Sequence, residues 1–288
     1  MRSISALMGA DPAHDSLHHF ETSWLFRPVL FGILRLTIFF YCLLTIIITF
    51  ALESARGNGL DNGRFFSYFT SLSFLGVLFY FLVAGIHTLL YARQGRSVLL
   101  DKWPRWLRAL HSLFYTTIVC FPFVVMAIYW ALLYKEGSVQ PQFQVWGNIS
   151  KHVLPAVFAL FEIIFSTAPP PPLLHFPFLI IILLLYLGVA YITHAAQGFW
   201  VYPFLNPGPH GSRRGNVVKY LFIIVAALLV VFAVVWVVSW IRRRLVGLKT
   251  KWAKGAVEEW DVRGGSGRDG RDAEMGENAV EVYVDERK

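Results

Sequence analysis

The fold class predicted by this sequence is all-α: a polytopic membrane protein folded as a bundle of six transmembrane helices. Three observations predict it. Of the 288 residues, 56% are hydrophobic and only 15% charged, with a mean hydropathy of +0.53, whereas soluble domains carry about 25% charged residues. Six apolar runs have roughly the ~20 residues needed to cross a hydrocarbon core as a helix. The two-residue alternation that marks a membrane barrel is absent, and lipid offers no water to satisfy an open backbone, so helices are the spanning solution.

The elements follow in order. Residues 1–26 are polar and rich in His, Asp and Ser. They show no short apolar stretch with a cleavage site, so the first apolar run is expected to serve as the insertion signal. The spans are predicted near 28–52, 67–91, 107–134, 150–167, 174–197 and 217–240. The fourth is the weakest, because it carries His152, Pro155 and Glu162. Pro169 to Pro172 form a four-proline turn between runs four and five; proline lacks an N–H and clashes within a helix. Asn206-Pro207-Gly208-Pro209-His210-Gly211 breaks the chain before run six. The tail from about 245 lacks the apolar content to form a core and is predicted disordered. The organisation is then a cytosolic segment 1–26, a membrane domain 27–241, and a basic, then disordered, cytosolic tail 242–288.

Charge placement orients the chain. With the N-terminus in the cytosol, 13 Lys and Arg residues near helix ends fall on the cytosolic side and 7 on the other. Loop 92–106 is the strongest contributor, and basic residues favour the cytosolic side. The net charge of +8 sits in short runs beside apolar segments, such as Arg242-Arg243-Arg244. That pattern suits anionic lipid headgroups and excludes nucleic acid as a partner, since no basic-aromatic face of a soluble domain is present. Cys42 and Cys120 both lie in apolar runs and read as small buried hydrophobes.

Ionisable groups within membrane spans are costly and mark candidate sites. Here they are Arg35, His87, His111, His152, Glu162, His175 and His194. The six-span topology places Ser67, Thr70, His152 and His194 at the non-cytosolic face, and His87, His111 and His175 at the opposite one. A hydroxyl beside an imidazole is the arrangement of nucleophilic ester cleavage, because the imidazole can take the hydroxyl proton. Packing, capping and interfacial hydrogen bonding are the structural alternative for the same residues. Glu162 lies ten residues beyond His152, about 15 Å along a helix at ~1.5 Å per residue. It is therefore expected deeper in the membrane, either protonated or bonded to a neighbouring helix; Arg35 either pairs with it or snorkels to the interface. Two further classes stay open: a haem protein using His87 with His111 and His152 with His194, and a non-enzymatic transporter or scaffold, although no inverted repeat is visible.

The stretch Trp200-Val201-Tyr202-Pro203-Phe204-Leu205, preceded by His194 and Gly198, resembles the signature of the androgen-induced-gene family, which includes the androgen-dependent TFPI-regulating protein. The spacing of His152 and Glu162 resembles that family's as well, with Pro155 two positions earlier than its pattern. The resemblance spans roughly residues 60–240 and implies a multispan hydrolase of fatty acid esters of hydroxy fatty acids. It implies a threonine nucleophile matched by Thr70 in Tyr68-Phe69-Thr70, or by Ser67 in a shifted register, since Ser73 stands where an Asp or Asn usually follows. His152 matches the family's catalytic histidine, with Ser67, His194 and Glu162 as supporting residues. The implied partners are a lipid ester and membrane lipids, with no metal or cofactor required. The expected location is an endomembrane, the endoplasmic reticulum first, with the plasma membrane as the alternative. The longer termini look like those of fungal versions.

The topology is testable. In intact vesicles, tags on both termini should be cleaved by protease added from the cytosolic side. The sequon at Asn148 should stay unmodified, because it lies too close to the fourth span. Protection of one terminus alone would overturn the arrangement.

Overall fold

The computed structural model describes residues 7–9, 18–57, 62–95, 97, 100–134 and 142–262. Its helices are α1 Pro28–Ala55, α2 Phe69–Gln94, α3 Arg105–Ile128, α4 Gln142–His152, α5 Leu154–Phe165, α6 His175–Gln197 and α7 Arg214–Val262. The described residues contain no β-strand, only an isolated bridge between Ser23 and Ser166. Six segments are long and apolar enough to cross a membrane, with α4 and α5 forming one of them. The protein is thus an all-α integral membrane protein.

Two boundaries differ from the sequence reading. The fourth span begins at Gln142 rather than near 150, because its first turns are polar and escape an apolar count. The last helix continues to Val262 rather than ending near 240. At ~1.5 Å per residue its 49 residues extend about 70 Å, more than twice a hydrocarbon core of about 30 Å. The rest of the tail and most of segment 1–26 lie outside the described residues.

Local chemistry shapes two spans near the candidate site. Pro155 has no N–H to donate back along the helix and its ring crowds the turn before it. The fourth span accordingly breaks at Val153, leaving His152 as the last residue of α4. In the third span, Pro122 lies inside α3, and a π-helical turn follows at Tyr129–Leu133. Such turns rotate side chains off the regular helical register.

Arg35 of α1 sits at the centre of the packing. It is fully buried, and so is Glu162 of α5. Its Nε donates to Glu162 Oε2 at 3.2 Å, and its Nη2 donates to Glu162 Oε1. Its Nη1 donates to Thr88 Oγ1 at 2.5 Å and to the Phe20 carbonyl at 2.8 Å. Tyr80 Oη donates to Glu162 Oε1 at 2.9 Å. The guanidinium also lies 3.9 Å from the centre of the Phe31 ring. One ion pair thus joins α1, α2, α5 and the segment before α1. The candidate partnership of Arg35 with Glu162 is realised. Close helix approach makes it possible: a Cβ on Gly32 would meet Leu89 at 2.7 Å, and one on Gly85 would meet Leu36 at 2.7 Å. Small residues at such contacts let membrane helices draw together.

The carbonyls that α5 leaves open at its C-terminus are satisfied by distant donors. Ser23 Oγ donates to Phe165 O at 2.6 Å and Trp24 Nε1 to Ile164 O at 2.6 Å. Arg242 of α7 donates to Ile163 O and Ala168 O. The segment before the first span and the end of the last span therefore meet at one end of the bundle. His175 joins them there, with its Nδ1 2.6 Å from Thr116 Oγ1 and its Nε2 3.2 Å from the Met8 carbonyl.

Removing one member of a buried ion pair leaves an uncompensated charge and costs about 3–5 kcal/mol. Glu162→Gln should therefore lower the melting temperature in detergent sharply. The double change Arg35→Met, Glu162→Leu should recover much of the loss. Equal destabilisation by the single and double variants would refute this account of the pair.

Candidate functional site

The start of α2 positions the candidate nucleophile. A 3₁₀ turn, Phe65–Ser67, leads into Tyr68, whose extended backbone (φ −95°, ψ 130°) caps the helix. Thr70 is therefore the second helical residue, within the first turn, where backbone N–H groups lack intrahelical partners. Ser67 lies before the helix rather than one turn along it. It is buried and engaged: Thr193 Oγ1 donates to its hydroxyl at 3.3 Å, and Tyr186 Oη donates to its carbonyl at 2.9 Å.

Thr70 opens onto a cleft of about 640 Å³. The walls come from α2 (Phe69, Thr70), α3 and its π-turn (Val124 to Leu133), α6 (Leu183, Tyr186, Leu187), the loop after α6 (Tyr202, Phe204, Leu205) and α7 (Leu221, Ile224). Thr70 and the hydroxyls of Tyr129, Tyr186 and Tyr202 are the polar side-chain groups in an otherwise aliphatic and aromatic wall. Such a lining, with a few placed polar groups, is typical of sites for apolar ligands.

The loop after α6 covers one end of this cleft. Its Trp200-Val201-Tyr202-Pro203-Phe204-Leu205 stretch folds back over the start of α2. Val201 and Leu205 are buried. The Tyr202 ring packs flat against Phe204 at 5.1 Å and edge-on to Tyr68 at 6.1 Å. Tyr202 Oη accepts the Phe69 N–H at 3.1 Å and lines the cleft together with Thr70 and Tyr186. Burial raises the Tyr202 phenol above the usual tyrosine range. The net upward shift leaves it a neutral O–H at pH 7.

His152 lies just behind the cleft wall. Its ring stacks on Tyr129 with centroids 3.6 Å apart and planes 7° from parallel. Tyr129 itself lines the cleft with Thr70. His152 Nδ1 is buried with no hydrogen-bond partner among the described residues. An unsatisfied buried ring nitrogen costs about 1–3 kcal/mol. The proline break and the π-turn thus meet in one stacked pair.

The structure separates the other predicted residues. His194 stacks on Trp200 at 3.8 Å, in the loop after α6, rather than on His152. Glu162 belongs to the Arg35 pair and does not hold His152. His87 and His111 lie together with their ring centroids 6.1 Å apart. Trp103 packs edge-on against both, and His87 Nδ1 is 3.7 Å from the buried Glu21. Burial works against the Glu21 charge, but bonds from His18, His87 and Ser97 outweigh it and hold its pKa below the ordinary carboxylate value. Among the described residues no cluster of three or more His, Cys, Asp or Glu has metal-site geometry.

Sequence reasoning named Thr70 and His152 but missed Tyr129, Tyr186 and Tyr202. Tyr202 lay within the distinctive Trp200–Leu205 stretch, which was a usable signal. Tyr129 and Tyr186 looked like any other aromatic residue of an apolar span. In comparisons with known proteins, no curated protein and no solved structure matches the chain. A family model, described as FAR-17a/AIG1-like protein, matches residues 32–239, so the chain belongs to that family.

Proposed function

We propose that this chain is an intramembrane hydrolase of lipid esters, of the class of fatty acid esters of hydroxy fatty acids, with Thr70 as nucleophile and His152 as base. The observation that carries the reading is the placement of Thr70. It is the one aliphatic hydroxyl on an apolar cleft, in the first turn of a helix, and Tyr129 of the same cleft stacks on an imidazole with an unsatisfied nitrogen.

A threonine hydroxyl becomes a competent nucleophile when a base takes its proton, and a neutral imidazole does so at pH 7. Attack on the ester carbonyl gives an acyl-threonine and releases the alcohol. Water, activated by the same histidine, then frees the acid. Tyr129 lines the cleft with Thr70 and stacks on His152. In this reading the bound substrate shifts that ring and His152 closes on Thr70, as catalytic hydrogen bonds tighten in the substrate complex. A second apolar groove, between α2, α3 and α6, shares Phe69 and Tyr186 with the cleft. It offers a lateral route for a lipid arriving from the bilayer, which suits an endomembrane enzyme such as one of the endoplasmic reticulum.

The test is covalent labelling of the purified protein by a fluorophosphonate, alongside hydrolysis of a fatty acid ester of a hydroxy fatty acid. Thr70→Ala and His152→Ala should each lower both readouts by on the order of 10³-fold or more. The double variant should be no worse than either, because members of a catalytic unit are non-additive. Ser67→Ala should reduce activity only modestly, since its hydroxyl serves Thr193. His87→Gln and His111→Gln should leave hydrolysis largely intact. Full labelling of both Thr70→Ala and His152→Ala would refute the hydrolase reading and favour a transporter or scaffold. Inactive Ser67→Ala with active Thr70→Ala would move the nucleophile to Ser67.

A further inference from the structure

Attack of a hydroxyl on an ester moves the carbonyl π electrons onto oxygen, and the resulting oxyanion needs a donor within reach of the nucleophile. In an apolar cleft this requirement is severe, because water is not there to supply one. The walls beside Thr70 offer few candidates. Tyr129 is engaged face to face with His152. Tyr186 already donates its hydroxyl hydrogen to the Ser67 carbonyl at 2.9 Å. Tyr202 is different. Its oxygen is held by the Phe69 N–H at 3.1 Å, which fixes the phenol at the first turn of α2. It lines the same cleft as Thr70, the residue that follows Phe69. Its ring is clamped between Phe204 and Tyr68. The Phe69 N–H occupies an acceptor site on the phenol oxygen and leaves the O–H hydrogen to be aimed into the cleft.

We infer that Tyr202 is a catalytic residue: its phenolic O–H donates the hydrogen bond that stabilises the oxyanion formed when Thr70 attacks the ester. This rests on the hydrolase reading above and adds the group that reading lacks. The step balances. The Thr70 Oγ–carbon bond forms, the C=O π pair moves to the carbonyl oxygen, and the Thr70 proton passes to His152. Tyr202, held at the first turn of α2 by the Phe69 N–H, donates its O–H to the new oxyanion. On collapse the C=O bond re-forms, the carbon–alkoxy bond breaks, and the leaving oxygen takes the proton from His152. Water then repeats the sequence on the acyl-threonine, with Tyr202 again the donor. The phenol never loses its proton, in keeping with a group kept neutral by burial.

The inference gives the Trp200–Leu205 stretch a chemical role. Pro203 starts a 3₁₀ turn immediately after Tyr202. Val201 and Leu205 anchor the loop on either side of it. The loop is thereby built to hold one phenol at the mouth of α2.

Tyr202→Phe keeps the ring and removes the hydroxyl. In the full-length protein, the maximal rate of fluorophosphonate labelling should fall about 10²-fold, the loss typical of one oxyanion donor. The concentration of probe at half-maximal rate should be unchanged, and the melting temperature close to that of the parent. A second substitution covers the case in which the phenylalanine protein does not fold. With 3,5-difluorotyrosine at 202, a far more acidic phenol, the alkaline limb of the labelling rate should move to lower pH, because an ionised phenol cannot donate. A folded Tyr202→Phe protein that labels at the parental rate would overturn the inference, as would an unmoved alkaline limb in the fluorinated protein. Absence of labelling at Thr70 in the parent protein would instead overturn the hydrolase reading, and this inference with it.

Discussion

The Arg35–Glu162 pair is the constraint around which the bundle is arranged. A charge inside a membrane span is tolerated only when it is paired and its remaining hydrogen-bonding capacity is met. Arg35 meets that demand with one carboxylate, one hydroxyl and one backbone carbonyl from three separate parts of the chain. Glu162 meets it with Arg35 and Tyr80. Every one of these groups is therefore held in depth and rotation. Fixing Glu162 sets the level of α5 against α1 and α2, and so sets where the preceding break leaves His152. The approach of α1 to α2 across Gly32 and Gly85 lets a side chain on one helix reach partners on both neighbours.

The two ends of the bundle are put to different uses. At the end near α5's C-terminus, the polar groups are consumed by structure. Ser23, Trp24 and Arg242 satisfy carbonyls that lipid could not solvate. His175 is bonded through both ring nitrogens. At the other end, the polar groups are left partly uncommitted. His152 and His194 each keep a buried ring nitrogen without a partner among the described residues. Thr70 lines an apolar cleft whose wall also carries Tyr202. Unsatisfied groups in a low-dielectric setting are expensive.

Local irregularity supplies the geometry there. Proline at 155 ends α4 at His152, and the π-turn after Pro122 swings Tyr129 onto it. Neither feature belongs to a regular helix, and both sit in the spans that bring the imidazole toward the nucleophile. The loop after α6 completes the wall because its aromatic residues have rings to pack against at the start of α2. The candidate site thus lies where the helical register is interrupted.

The sequence alone determined the membrane class, the six spans and the pairing options of the few ionisable residues. The reason is physical: lipid excludes unpaired charge and open backbone, so apolar length and isolated charges carry most of the available information. The weak fourth span and its proline were legible for the same reason, although its polar first turns were not. Thr70 and Ser67 could not be separated by spacing, since three residues apart means one face only if both are helical. Tertiary structure gives them different settings: Ser67 falls in the 3₁₀ turn and is bonded to Thr193, whereas Thr70 enters the helix and meets the cleft. It also decided the roles of Tyr129, Tyr186 and Tyr202. An aromatic residue in an apolar span reads as packing until its hydroxyl is seen beside a nucleophile. That position depends on how four helices and a loop converge, and no local pattern along the chain encodes it.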